Sequence, residues 1–428
     1  ELPDATFSYS ASEYCSTAGD VTPSVINDIG IFTADNPVVV FTEGDGVNPG
    51  TINTLFTPPG TYTITNTIQA ANGCDEVSAS TQITVNTSPN YTGNRAYTIC
   101  SGETTSIAHN ADIEGSTFSW TVGTITGSIT GASGGSGATI EQTLLNPTNT
   151  SVGTVEYIVT PSDASGCGDG IPTTVVVTVN PLPANPTANN ETVTYDGDSH
   201  SASATSSTIT ETNEEAQITW YVTETGSTTT TAPSGTDVGI YTAWAEASYQ
   251  SGCISSGRTL VTLTINPRPL TASSTIDDKT YNGSAVTGAV NLGTVNNLVS
   301  GQDLNITASA ADYANANAEN DKNTTISYSL SDGTEGKASN YSMANWGTTG
   351  NILQKELTVT ADSKTKEYGE ANPALTYQYS GFVNSETSSV LTTVPTGSTT
   401  VDANTHVDTY TDAITVSGGD DDNYSFTY

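Results

Sequence analysis

The chain has 428 residues, 45 acidic and 9 basic, and a formal net charge of −36. Nucleic acid is therefore excluded as a natural partner, because phosphate contacts need Lys and Arg. Hydrophobic residues make up 34%, and no run of about 20 apolar residues occurs, so no helix is expected to insert into a membrane. Charged residues are 13%, and the remainder is mostly Thr, Ser, Gly and Asn. Thr and Tyr suit pleated strands, while Gly, Asn, Asp and Ser suit the turns between them. Regular alternation and recurring aromatics argue against disorder.

In chain order, one sentence recurs three times. Residues 60–86 read GTYTITNTIQAANGCDEVSASTQITVN, residues 153–180 read GTVEYIVTPSDASGCGDGIPTTVVVTVN, and residues 239–266 read GIYTAWAEASYQSGCISSGRTLVTLTIN. Each begins with Gly, places Cys74, Cys167 or Cys253 at one fixed distance beyond it, and ends at Asn86, Asn180 or Asn266. A unit repeating at this period is a tandem module. The expected boundaries are 1–86, 87–180, 181–266, 267–354 and 355–428. Alternating strands are expected at 81–85, 174–179 and 260–265. Asn180-Pro181 and Asn266-Pro267 put proline straight after a strand, which ends pairing and stiffens the joint.

The last two units open differently. Tyr195, Tyr281 and Tyr368 recur at one module length and are followed closely by Gly197, Gly283 and Gly369, a tight-turn signal. Asn340-Tyr341 and Asn423-Tyr424 form a second shared pair. About a dozen residues follow the first of these before the next joint, and only four follow the second. The last module is therefore expected to lack its final strand. Glu1-Leu2-Pro3 is similar to Pro181-Leu182-Pro183, so the sequence is expected to begin inside a larger protein. Helical periodicity is nearly absent, and the Ala- and Asn-rich stretch 310–318 is read as a loop or a single helical turn. Short strands at regular spacing point to all-β architecture: a tandem array of five immunoglobulin-like β-sandwich modules. With strands of about ten residues each module would be roughly 35 Å long.

Tyr97-Thr98-Ile99-Cys100-Ser101-Gly102-Glu103 with Ala164-Ser165-Gly166-Cys167 resembles the PKD-like, immunoglobulin-like modules of very large Bacteroidota surface proteins. Phe7-Ser8-Tyr9-Ser10 with Tyr14-Cys15 resembles a sister version, and Lys279-Thr280-Tyr281-Asn282-Gly283 resembles the start of the YDG module. Lys366-Glu367-Tyr368-Gly369, Asn372-Pro373-Ala374-Leu375-Thr376-Tyr377, Ser380-Gly381-Phe382-Val383 and Asn423-Tyr424 together resemble the MBG module. The resemblance implies a giant extracellular, cell-surface adhesin of the gliding-motility kind, exported by a type IX route. It implies no known ligand.

Each of the first two units has one cysteine after its first strand and one in a late hairpin turn. This placement leads us to expect Cys15 bonded to Cys74 and Cys100 to Cys167, in an oxidising compartment. Cys253 is left without a partner, as the remnant of a lost bridge or as an intermolecular thiol. His109, His200 and His406 fall in different units without ligand spacing, so zinc is not expected. Asp196, Asp198, Ser199 and His200 are too close in sequence to converge as a triad. The acidic turns at Asp45, Asp277-Asp278 and Asp420-Asp421-Asp422 offer hard oxygens, which makes calcium the one candidate cofactor; charged solvated turns are the plainer reading. Trp120 and Trp220 occupy similar strands and are read as core, with a sugar-stacking platform as the alternative. The function expected is a structural stalk segment of a surface adhesin, contacting its own adjacent modules and without enzymatic activity. The alternatives are modules that bind a surface glycan or a protein ligand, and an accessory region of a secreted polysaccharide-degrading enzyme.

Overall fold

Alternation in the sequence becomes strand in the computed structural model, which describes residues 2–71, 73–163 and 167–428. Glu1 and the turn read at 164–166 lie outside the described residues. Among the described residues there is no α-helix, only two 3-10 turns, Ala338–Asn340 and Ser388–Val390. The stretch after Leu304–Ala310 is loop. The chain divides into two compact units. One comprises Glu1–Asn189, Ser203–Ala232 and Ala243–Val261; the other comprises Asn190–Ala202, Pro233–Thr242 and Thr262–Tyr428. Residues 181–266, read from sequence as one module, are thus shared between the two.

In the first unit, Gly60–Ile68 and Val77–Asn86 form an antiparallel hairpin, with Gly60 opposite Val85 and Ile68 opposite Val77. Ile31–Ala34 pairs on one side, and Glu13–Cys15 runs parallel to the end of Val77–Asn86 on the other. Period-two alternation sends Tyr62, Ile64, Ile83 and Val85 inward, where they meet Phe7, Phe32 and Ile52. Asn66 shares that inward face but stays satisfied: it accepts from the Gly30 N–H at 2.8 Å and donates to the Ala5 carbonyl at 2.9 Å. A buried polar side chain is tolerated only when paired in this way.

Residues 96–180 repeat the plan around a larger buried cluster. A five-stranded sheet has the order Gly135–Ser136, Thr117–Ile125, Gly153–Ser162, Thr173–Asn180, Ala96–Cys100. The last pair is parallel. A small second sheet, Ile107–Ala108 with Thr139–Ile140, faces it. Ile107, Ile140 and Leu144 pack on Trp120, Tyr157, Val175 and Val177 in one core. Two sheets closing over one core make a sandwich. Trp120 is core, as expected, and its indole N–H donates to the Ser133 carbonyl. Trp220 is half-buried, opposite buried Ala245.

The second unit contains the parallel pair Glu191–Thr194 with the end of Thr259–Asn266. It also holds a four-stranded sheet in the order Lys279–Thr280, Trp346–Leu353, Glu319–Asp332, Leu304–Ala310. Its last portion pairs Lys355–Ala361 with Tyr377–Ser380 and, in parallel, with Tyr424–Thr427. One closure therefore recurs in the first four repeats, an early strand running parallel to a late strand of the same repeat; Lys355–Ala361 with Tyr424–Thr427 instead repeats the parallel pair Arg268–Ala272 with Tyr341–Met343. Parallel first-to-last pairing over a two-sheet core is the immunoglobulin-like arrangement, and the fold is all-β.

His109 illustrates how tightly one of these cores is closed. It lies 7% exposed against the rings of Tyr91, Phe118 and Trp120, and its Nε2 has no hydrogen-bond partner. Burial holds its imidazole below the ordinary value of 6.5. A depressed folded value means stability is fully present above pH 6.5 and is lost as pH falls below it. Replacing His109 with Phe should flatten the stability of this core between pH 7 and pH 5, followed by urea unfolding monitored at Trp120.

Candidate functional site

The cysteines do not pair as their positions in the sequence suggest. Cys15 bonds to Cys167 and Cys100 bonds to Cys253, with Cα–Cα distances of 5.0 and 5.6 Å. Both bridges lie within the first unit. Cys253, expected as a leftover thiol, is bonded and 1% exposed; Cys74 is the free cysteine and is half-buried.

Strand direction explains the correction. Cys15 ends a strand that is parallel to Val77–Asn86 and lies opposite Asn86 at its far end. Cys74 precedes the beginning of that same ten-residue strand. The two stand at opposite poles, roughly 30 Å apart at the usual rise per residue. A disulfide needs Cα atoms within about 7 Å. Cys100 lies opposite Asn180 in the same way, a full strand length from Cys167. What each first-strand cysteine can reach is the hairpin turn of the following repeat, 152 or 153 residues on.

In the second unit the next position along, that of Ser16 and Ser101, is held by tyrosines. The residue just past the early parallel strand donates its N–H to the end of the late strand in four repeats: Ser16 to Asn86, Ser101 to Asn180, Tyr195 to Asn266 and Tyr281 to Leu353. Tyr195 meets Tyr341 edge-on at 5.4 Å, and Tyr281 meets Tyr424 edge-on at 5.5 Å. A third side chain ties each pair. Tyr341 donates to Gln302 Oε1 at 2.6 Å, and Gln302 Nε2 donates to Tyr195 at 2.7 Å. Tyr281 and Tyr424 both donate to Glu386, at 2.9 and 2.5 Å. Backbone donors complete the sockets, Val299 N–H to Tyr341 and Val383 N–H to Tyr424. Burial, then the Glu386 carboxylate, pushes the Tyr281 phenol up to about 12 and raises that of Tyr424.

The neighbouring asparagines repeat as well. Asn340 Oδ1 accepts from Val238 N–H and Asn423 Oδ1 accepts from Ala318 N–H, in each case just before a long strand of the preceding span. Lys337 and Asn340 also bind the Asp237 carboxylate, which holds it below the usual carboxylate range.

The remaining candidate residues do not converge. Asp45 accepts from Val47 and Asn48 N–H in its own turn, Asp277 accepts from Asn291, and Asp278 accepts from Asn351. Asp421 accepts from Asn423 and Thr392 N–H, while Asp420 and Asp422 use backbone groups. Among the described residues no three His, Cys, Asp or Glu side chains are grouped to hold a metal. His200 pairs with Asp196 at 3.0 Å, and that bond raises its imidazole. On Tyr221, the ring face is covered by the Arg258 guanidinium at 3.3 Å, which is fixed in turn by Glu246.

Tyr195, Tyr281, Tyr341 and Tyr424 stand out by spacing in the sequence, but their partnership does not. Gln302 and Glu386 do not stand out at all. Their signal is shared position: each follows shortly after Val299 or Val383 and precedes its socket tyrosine by 39 or 38 residues.

Three family models match parts of the chain: the PKD-like domain at residues 97–183, the YDG domain at 266–349 and the MBG domain of YGX type at 357–428. No curated protein matches. Among solved structures, human CDH23 EC21-23 is similar over 60% of this chain and 99% of its own, at 11% identity and a TM-score of 0.30. The titin I-band fragment I67-I69 covers 62% and 100% at 11% identity and 0.29. Drosophila N-cadherin EC1-4 covers 80% and 97% at 10% identity and 0.24.

Two measurements check the site. Non-reducing peptide mapping should recover Cys15 linked to Cys167 and Cys100 linked to Cys253, with only Cys74 alkylated after unfolding. Glu386→Ala, which strips both phenols of their acceptor, should cost about 1–3 kcal/mol of stability. Glu386→Gln, which copies the Gln302 arrangement, should cost much less; calorimetry of the intact chain would show the difference.

Proposed function

We propose that the chain is a load-bearing spacer of an extracellular, adhesion-type surface protein, built from five consecutive sandwich modules with the boundaries read from the sequence. The recurrent cross-link from each early strand to the next repeat supports this reading. The PKD-like, YDG and MBG matches fit adhesin-like modules, and the disulfides fit an oxidising exterior. The reading includes no catalysis and assigns no residue a catalytic role. The gliding-motility setting and type IX export form part of the proposal on the strength of the resemblance alone. Adjacent modules are the partners the seams serve; a surface protein or glycan would be held elsewhere on the array.

Load bearing has a measurable signature. The shortest covalent route from Cys15 to Cys253 crosses both bridges and follows the main chain only between Cys100 and Cys167. The segments 15–100 and 167–253 are therefore shielded from tension while the bridges stand. Reduction releases both as hidden length, on the order of 600 Å at full extension. Single-molecule pulling from both ends should show that extra length only with reductant. Equal contour lengths in both conditions would remove the load-bearing role.

A further inference from the structure

The first repeat turns a block of apolar side chains outward. After Ile31–Ala34, residues 38–42 and 51–54 run antiparallel. The Asn53 N–H donates to the Val40 carbonyl, Phe41 bridges Ile52, and the Thr42 N–H donates to the Thr51 carbonyl. Alternation sends Val39 and Ile52 into the core, where they join Phe32. Val38 and Val40 therefore face out, 43% and 37% exposed. The next turn, closed by the Thr57 N–H on the Asn53 carbonyl, leaves Leu55 and Phe56 59% and 72% exposed. Val40 ties the two segments together: its N–H donates to Thr57 Oγ1 while its carbonyl takes the Asn53 N–H. Pro37, Pro58 and Pro59 flank them in sequence and are exposed as well.

The fold itself does not require this patch. The corresponding stretch of the next repeat, between Thr117–Ile125 and Gly153–Ser162, exposes one large apolar side chain among the described residues, Leu145. The patch also has a rim of one sign. Asp20, Asp35 and Glu43 are all exposed. Asp20 accepts from Asn53 Nδ2 at 2.8 Å, Asp35 precedes the turn in which the Val39 N–H bonds the Asn36 carbonyl, and Glu43 follows Thr42. None of the three is in a salt bridge among the described residues. Residues 1–94 hold ten acidic residues and no Lys, Arg or His, so the repeat has no cation of its own to place there. A second copy of this chain would bring the same carboxylates and meet like-charge repulsion. Contiguous exposed apolar side chains rimmed by polar groups mark a contact surface, and a rim of unpaired carboxylates calls for a partner of the opposite sign.

We propose that Val38, Val40, Leu55 and Phe56 form a docking surface for a partner protein whose contact patch is an apolar anchor ringed by Lys or Arg. The anchor packs on the two valines, Leu55 and Phe56 and supplies most of the affinity. The basic ring meets Asp20, Asp35 and Glu43 and sets the rate of encounter and the choice of partner. This grip on another protein is separate from load bearing and stands whether or not the chain carries tension.

The test uses the full chain and, as probe, a synthetic peptide of alternating leucine and lysine, followed by fluorescence anisotropy and amide exchange. Binding should protect 38–42 and 53–57 and should weaken as salt is raised. Leu55→Ser with Phe56→Ser, both at exposed positions and neutral in charge, should lower the affinity about tenfold or more. Asp20→Asn, Asp35→Asn and Glu43→Gln together should weaken binding and flatten its salt dependence. Asp277→Asn, Asp408→Asn and Asp412→Asn together remove as much charge elsewhere and should do neither. No protection of 38–42 and 53–57 at millimolar peptide would overturn the proposal. So would equal affinity of the double serine variant, or of a serine–lysine peptide for the unmodified chain, since either means adsorption to net charge alone. Concentration-dependent dimerisation of the chain, abolished in the double serine variant, would overturn it in favour of a second copy.

Discussion

The structure depends on the parallel pairing of an early strand with a late one. Antiparallel hairpins alone would leave the start of each span loose. The parallel strand pairs with the late strand, takes its place as the sheet's edge, and fixes where the chain's early residues end up: at the pole where the span finishes. Whatever follows the early strand is then presented to the next repeat. The location of the seam chemistry is a consequence of strand direction, and the identity of that chemistry is free to vary.

It does vary. Within the first unit the seam is covalent. Closing loops of this length is worth on the order of 5 kcal/mol in the chain-entropy picture. Within the second unit the seam is a pair of edge-on tyrosines locked by an amide or a carboxylate. Hydrogen bonds of this kind contribute about 1–3 kcal/mol each, with the ring pair adding roughly one more. Residues 181–266 carry both kinds, Cys253 toward one neighbour and Tyr195 toward the other. That explains why this span has a single cysteine.

Much of this is legible in the residues. The repeated Gly-to-Asn sentence locates the long hairpins, and alternation gives the inward faces of Tyr62, Val155 and Val177. Proline after Asn180 and Asn266 marks true strand ends. The cysteine pairing cannot be read from position alone, because distance along the chain says nothing about which pole a residue occupies. Strand direction decides that, and a parallel closing strand has no local signature. Gln302 and Glu386 are hidden for another reason: a lone polar residue in a loop has no period, and only its partner tyrosines give it meaning. The two-unit division, which cuts through residues 181–266, leaves no compositional trace.

The overlap of the two disulfide loops has a consequence for biogenesis. When Cys15 leaves the ribosome, Cys74 is the next cysteine to emerge, whereas Cys167 lies 152 residues behind Cys15. An unfolded chain exposed to oxidant would favour the shorter ring. Only a finished sandwich, acting as a ruler between its own two thiols, forbids that error. Native pairing therefore needs oxidation to trail folding or thiol exchange to undo the shorter ring, and by either route the bridges record an arrangement that the strands chose.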